Sequence, residues 1–305
     1  NTKMDDVKPV SLLGVDPELL RGLSPQLRRA ARFVVENPGD IATRSQRHVA
    51  EVSNLPAPTF TRLARAVGLE SYDGLRDLCR ADVLNARPTI LADRAQASVT
   101  EHTADDAPLI AGHAGAMFRN VQTLLDRIDL IQLAQAAGML AQANRVVLIG
   151  EMSARGLVDY ASYVANMSLT GWKVLARPGE SLSSELAVLG PQDACIAMSV
   201  SPYATRAVET LKYVVDCNVP TIALTDNAMS PLATLAHYNF FIGTDSPNFF
   251  PSHVPTLLVL ETLVDMVIRE RGVQALQHIA AVERQNHKLN EYWRDGPAKP
   301  QGDEQ

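Results

Sequence analysis

The run Val146-Val147-Leu148-Ile149-Gly150, four branched apolar residues closed by a glycine, constrains this chain's fold more than any other segment. Similar runs recur at Cys195-Ile196-Ala197-Met198, Thr221-Ile222-Ala223-Leu224 and Phe240-Phe241-Ile242, with a weaker one at Trp172–Leu175. Continuous apolar segments of this length suit strands buried on both faces. Helical patterns lie between them, for example over 203–217 and 254–271. Short buried strands alternating with helices predict βαβ units, hence an α/β fold with a parallel, five-stranded sheet.

The front of the chain has a different texture. After a loose arm broken by Pro9, Gly14 and Pro17, Ser24-Pro25 gives an N-cap with proline at the first helical position. Leu27, Ala30, Ala31 and Val34 follow at the spacing of one helical face, and Asn37-Pro38-Gly39 closes that helix. A short helix is expected at 46–53 with Val49 and Val52 inward, then a turn at Asn54-Leu55-Pro56. A helix from Ala57 to Val67 ends at Gly68, and one more runs from Tyr72 to Val83. No strand signal occurs here. The polar, proline-bearing stretch 89–108 reads as a linker, followed by helices at about 109–127 and 130–143. The expected division is 1–88 as an all-α front domain, 109–295 as the α/β body and 296–305 as a flexible tail.

Charge sharpens the contrast between the two parts. Residues 1–88 hold 13 Lys/Arg against 11 Asp/Glu, and residues 89–305 hold 15 against 23, so the total of -6 conceals a basic front. Every basic residue from Arg21 to Arg87 is arginine. That asymmetry points to a polyanion partner for the front alone. Apolar residues make up 46% and charged residues 20%, the composition of a soluble globular chain, and no apolar stretch approaches the ~20 residues of a membrane span. The three cysteines are scattered without metal spacing and no basic-then-apolar leader opens the chain, which predicts a cytoplasmic protein. No metal or cofactor is expected.

The segment Gln46–Val67 has the spacing of a helix-turn-helix. Phe60, Leu63, Ala64 and Val67 make the inward stripe of its second helix. Thr61, Arg62 and Arg65 lie opposite, with Thr59 near the N-terminal end and Arg47 on the preceding helix. Short polar groups and arginines on one face suit the reading of base edges and phosphates. A plain helical bundle with a solvated arginine face accounts for the spacing equally well.

The residues Leu23-Ser24-Pro25, Ala31 to Pro38, Val49-Ala50-Glu51, Thr59 to Leu69 and Tyr72 to Arg76 resemble the N-terminal domain of the RpiR family of bacterial transcriptional regulators. In that family a helix-turn-helix domain precedes a SIS (sugar isomerase) domain, and order, spacing and length match over roughly 20–275. The resemblance implies double-stranded operator DNA as one partner, a small-molecule effector as another, and a homodimer or homotetramer with no membrane association. The chain departs from the family at Pro56-Ala57-Pro58, where a serine usually caps the recognition helix.

In an open parallel sheet, ligands bind outside the carboxyl ends of the strands. Here those ends are Gly150-Glu151-Met152-Ser153-Ala154-Arg155 and Ser199-Val200-Ser201-Pro202-Tyr203-Ala204-Thr205. Glycine, hydroxyls and helix N–H groups there make an anion seat, although Ser153 and Ser201 serve equally well as helix caps. The strand-end chemistry adds Gly150, for close backbone approach, and Arg155, for a fixed positive charge; the resemblance to SIS domains implies that Ser153, Ser199, Ser201, Thr205 and Ser252 hold a sugar phosphate, and the altered loop offers Tyr203 for stacking another anionic metabolite. Ser201-Pro202-Tyr203-Ala204-Thr205 replaces the family's serine-glycine-lysine/arginine-threonine run. Two other functions compete with that of a regulator. An aldose–ketose isomerase would need a base among Glu151, Glu185 and His253, and a SIS domain serving only for dimerisation would need no ligand at all.

Overall fold

The computed structural model describes residues 22–85, 95 and 107–293. The expected N-terminal arm, most of the linker 89–108 and the tail 296–305 lie outside the described residues.

In the front, α1 (Pro25–Glu36) starts where Ser24 accepts the Leu27 N–H and ends at Asn37, whose side chain caps the Phe33 carbonyl. Asn37-Pro38-Gly39 does not only stop a helix, as the sequence suggested. Pro38 also begins a second short helix, α2 (Pro38–Thr43), because a proline at the first helical position has no hydrogen bond to lose. Next come α3 (Gln46–Ser53), α4 (Ala57–Ala66) and α5 (Tyr72–Asn85). The turn between α3 and α4 rests on Asn54 at φ 53°, the left-handed conformation asparagine tolerates. Gly68, at φ +86°, ends α4 in a Schellman arrangement: its N–H reaches Arg65 O, and Leu69 N–H reaches Ala64 O at 2.8 Å. Phe60 is fully buried at the centre, edge-on to Phe33 and Tyr72 with ring centroids 6.2 and 6.5 Å away. Val49, expected inward, is fully buried; Val52, also expected inward, is 55% exposed, and Leu55 joins Val49 in the core.

The body opens with α6 (Ala107–Arg127) and α7 (Leu130–Gln142), where Asp129 caps α7 by accepting the N–H groups of Ile131 and Gln132. The strands are β1 (Val146–Gly150), β2 (Trp172–Val174), β3 (Ala194–Met198), β4 (Thr221–Thr225) and β5 (Tyr238–Phe241). Between and after them come α8 (Arg155–Ser168), α9 (Leu182–Leu186), α10 (Thr205–Asp216), α11 (Val254–Arg271) and α12 (Val273–Leu289). All pairings are parallel and the strand order is β2-β1-β3-β4-β5. Alternate residues of β1 feed two cores: Val146 and Leu148 pack with α7, α8 and α11, while Val147 and Ile149 pack with Ala207, Leu211 and Val214 of α10. That two-sided burial is why the strands read as unbroken apolar runs. Arg145 grips buried Asp193 with two hydrogen bonds of 2.9 and 2.8 Å, pinning the starts of β1 and β3 together.

The order has one consequence for function. The chain leaves β1 toward β2 on one side, then crosses to β3 on the other, so the topological switch point lies between β1 and β3. The loops after those two strands diverge there and leave a crevice.

Candidate functional site

The crevice is present. A shallow cleft is lined by Glu151, Met152, Ser153 and Ala154 after β1 and by Ser199, Val200, Ser201, Pro202 and Ala204 after β3. Phe250, Pro251 and His253, from the loop leading into α11, close its third side. Another cleft, of about 420 Å³, sits at the amino ends of β1 and β2, where Arg271 donates to Ala143 O and His278 pairs with Asn166 O.

The β1 side of the mouth is shaped by a single 3₁₀ turn, Met152–Ala154, that swings the chain into α8. Ser153 Oγ lies 3.2 Å from His253 Nε2, so this hydroxyl faces the α11 entrance rather than capping α8. His253 Nδ1 is buried and has no hydrogen-bond partner, and burial holds the imidazole pKa below its ordinary value. The ring is therefore neutral at neutral pH. Glu151 stands at the rim with Arg206 Nε 3.6 Å from its carboxylate.

The β3 side is held from β4. Asp226 accepts the Ser201 N–H at 3.2 Å and the Tyr203 hydroxyl at 2.7 Å. Asn227 donates to the same phenol oxygen at 2.7 Å. Burial, then the neighbouring Asp226 carboxylate, push the Tyr203 pKa well up, so the phenol stays protonated and donating. Ser199 Oγ accepts the Ala204 N–H at 3.1 Å. Thr225 Oγ1 donates to Ser199 O and lies 2.7 Å from Ser230 Oγ. The 199–205 loop is thus braced by β4 rather than left open.

Several residues singled out in the sequence stand away from the cleft. Arg155 points back along the sheet edge, binding Asp159 and the carbonyls of Leu175 and Ala176, and adds no charge to the mouth. Tyr203 turns its ring toward β4 and Thr205 opens α10; neither lines the cleft. Gly150 has a packing reason: a Cβ there would come within 2.8 Å of Val158 and 2.9 Å of the Ala154 carbonyl. Ser252 is buried beside His253 with its hydroxyl unpartnered and its N–H on Thr244 O. Ser153, Ser199 and Ser201 do line the cleft. Of the three isomerase bases considered, Glu185 is remote: it accepts the Ala176 N–H and pairs with Lys173. Burial raises its pKa, but those two contacts outweigh burial and hold it low. Sequence reading passed over Asp226, Asn227 and Phe250. The first two follow directly on β4, so the rule that selected the ends of β1 and β3 could have selected them.

In the front, α4 presents Pro58, Arg62 and Arg65 to solvent, with Thr61 partly exposed between them. Thr59, expected on the reading face, is completely buried and belongs to the core. Gln46 of α3 fixes the outer helix by donating to Ala57 O at 2.6 Å and to Thr61 Oγ1 at 2.8 Å. Arg62 leans back on Gln26 Oε1 and Thr59 Oγ1 at 3.4 and 3.5 Å, and Arg47 is exposed on α3. Among the described residues no three His, Cys, Asp or Glu come together as a metal site, and no helix is long and apolar enough to cross a membrane.

Residues 139–266 match the SIS domain family. Across 88% of its length the chain is 24% identical, over 273 residues, to an uncharacterized HTH-type transcriptional regulator of Caldanaerobacter subterraneus subsp. tengcongensis, of which it covers 94%. It is 23% identical over 274 residues to another such regulator from Haemophilus influenzae, covering 88% of this chain and 91% of that one. In fold, 61% of this chain superposes on all of the sugar isomerase domain of an RpiR transcription factor from Sphaerobacter thermophilus, with TM-score 0.52 and 24% identity. The NanR protein of Vibrio vulnificus, solved in complex with ManNAc-6P, superposes over 92% of this chain and 99% of its own, with TM-score 0.54 and 19% identity.

Proposed function

We infer from its build, a helix-turn-helix front joined to a SIS domain as in RpiR-type regulators, that this chain is a ligand-responsive regulator of transcription that acts in the cytoplasm. The reader is the α3–α4 pair, with Arg62 and Thr61 toward base edges and Arg65 and Arg47 toward phosphates. The sensor is the cleft at the β1–β3 switch point. One observation carries this reading: the loop after β4 takes part in both. Asp226 and Asn227 hold the cleft loop through Ser201 and Tyr203, and the next two residues, Ala228 and Met229, pack against the hydrophobic core of the reader. A ligand that moves the 199–205 loop therefore acts on a segment that touches the DNA-binding bundle. It shifts the reader only by its different affinity for the two arrangements.

Turnover has less support. An isomerase needs a base beside the substrate carbons, and the two candidates in the cleft are Glu151, paired with Arg206, and His253, engaged with Ser153. A SIS domain used only for dimerisation leaves the cleft without a purpose. Dimerisation itself fits the apolar surface of α6 and the start of α7, where Ile110, Phe118 and Ile131 are 72, 75 and 73% exposed. A twofold pair of readers would match a palindromic operator.

The test is a gel-shift titration of the full chain on the DNA flanking its own gene, with and without candidate effectors. Specific retardation that an effector alters supports the regulator. Retardation that no competitor sequence distinguishes from random DNA counts against it, and product formation from an effector would replace it with the isomerase. The Met229→Ala variant is expected to bind operator and effector as before while its effector-induced change in operator affinity falls severalfold; an unchanged response removes this loop from the coupling.

A further inference from the structure

We propose that the cleft between the β1 and β3 loops takes an uncharged, hydroxyl-rich ligand, a free sugar or polyol, and excludes its phosphate ester. This rests on reading the cleft as the effector site. A phosphate held at strand ends draws on free backbone N–H groups, on hydroxyls and, to offset its charge, on a basic side chain. Over 201–204 the backbone offers few free donors. Pro202 has no N–H, the Ser201 N–H is taken by the Asp226 carboxylate and the Ala204 N–H by Ser199 Oγ. An incoming phosphate would have to displace Asp226 and then remain beside its negative charge.

The rest of the wall agrees. Among the described residues, no lysine or arginine lines the cleft, and the acidic side chain that does line it is Glu151. Arg206 borders that wall, and it is already paired with Glu151. Arg155 is turned to Asp159 and to the end of β2. His253 is held neutral by its burial and adds no positive charge.

What the walls do offer suits a neutral polyhydroxyl compound. Glu151 accepts from hydroxyls, and Ser153, Ser199 and Ser201 line the cleft with hydroxyls of their own. Phe250, 39% exposed, and Pro202 present apolar surface to the C–H face of a sugar ring.

The experiment titrates the full chain by calorimetry with hexoses, N-acetylhexosamines and polyols, each matched with its phosphate ester, and with inorganic phosphate. At least one free compound is expected to bind at least tenfold more tightly than its ester, and inorganic phosphate is not expected to compete. Asp226→Asn keeps the shape and removes the negative charge beside which a phosphate would sit, so it should improve ester binding about tenfold. No gain in that variant overturns the role given to Asp226. Esters binding more tightly than their free sugars to the unaltered chain overturn the ligand class while leaving the regulator standing, and binding of neither class overturns it as well. Operator retardation measured on the same samples judges the regulator reading separately.

Discussion

Phe60→Ala is expected to unfold the front bundle while the sheet domain stays intact. The ring is wholly buried, with Phe33 and Tyr72 edge-on to it, and removing a phenyl group from such a site costs about 3–5 kcal/mol. At about 0.05–0.15 kcal/mol per residue a bundle this small has about 3–10 kcal/mol in all, so the loss removes a large part of it or all of it. The front and the sheet domain have separate hydrophobic cores, so the loss need not spread. The sequence supplies a convenient reporter, because its two tryptophans, Trp172 and Trp293, both lie behind the front domain. In urea the variant should lose helical circular dichroism at low denaturant while the fluorescence of buried Trp172 keeps its original midpoint. Operator binding should disappear and ligand binding should survive. A single transition shifted in both signals would mean that the two cores fold as one unit.

The same separation explains what could be read directly from the residues. Strands buried on both faces leave an unbroken apolar trace, so Val146–Gly150 and its counterparts were visible without knowledge of their partners. The α3–turn–α4 unit was equally local: Asn54 and Gly68 sit where the backbone must turn left-handed. What failed was phase or partnership. Thr59 reads as polar by its hydroxyl, yet it shares a face with Phe60, Leu63 and Ala64 and is completely buried. Pro38 looked like a stop because a proline at the first helical position and one past a helix end are spelled alike. Arg155 looked like a ligand because it follows β1, although Asp159 four residues later was the sign of a local ion pair. Asp226 could be placed opposite Ser201 only once β4 was known to lie beside β3, and strand order is a long-range fact.

Arg62→Ala and Arg65→Ala are expected to weaken operator binding in two distinguishable ways. Both guanidinium groups are exposed on α4, one turn apart, and the inner face of the helix is locked by Phe60 and Leu63. In a helix-turn-helix the earlier part of the recognition helix reaches base edges and the later part meets the backbone. Arg62 is held loosely by Gln26 and Thr59 at 3.4 and 3.5 Å, so its fork can be handed to a guanine edge at little cost. Losing a bidentate base contact should cost about 1–3 kcal/mol on the operator and much less on random DNA, so specificity falls with affinity. Losing Arg65 as a phosphate contact should weaken both DNAs alike and lower the slope of log affinity against log salt by about 1. Both guanidinium groups are exposed and Arg62 gives up only two long hydrogen bonds, so melting temperatures should stay within a degree or two. Equal losses on operator and random DNA for Arg62→Ala would reassign that arginine to the backbone. No loss for either variant would move the DNA-reading surface off α4, leaving the arginines of α1 and α3 as the next to test.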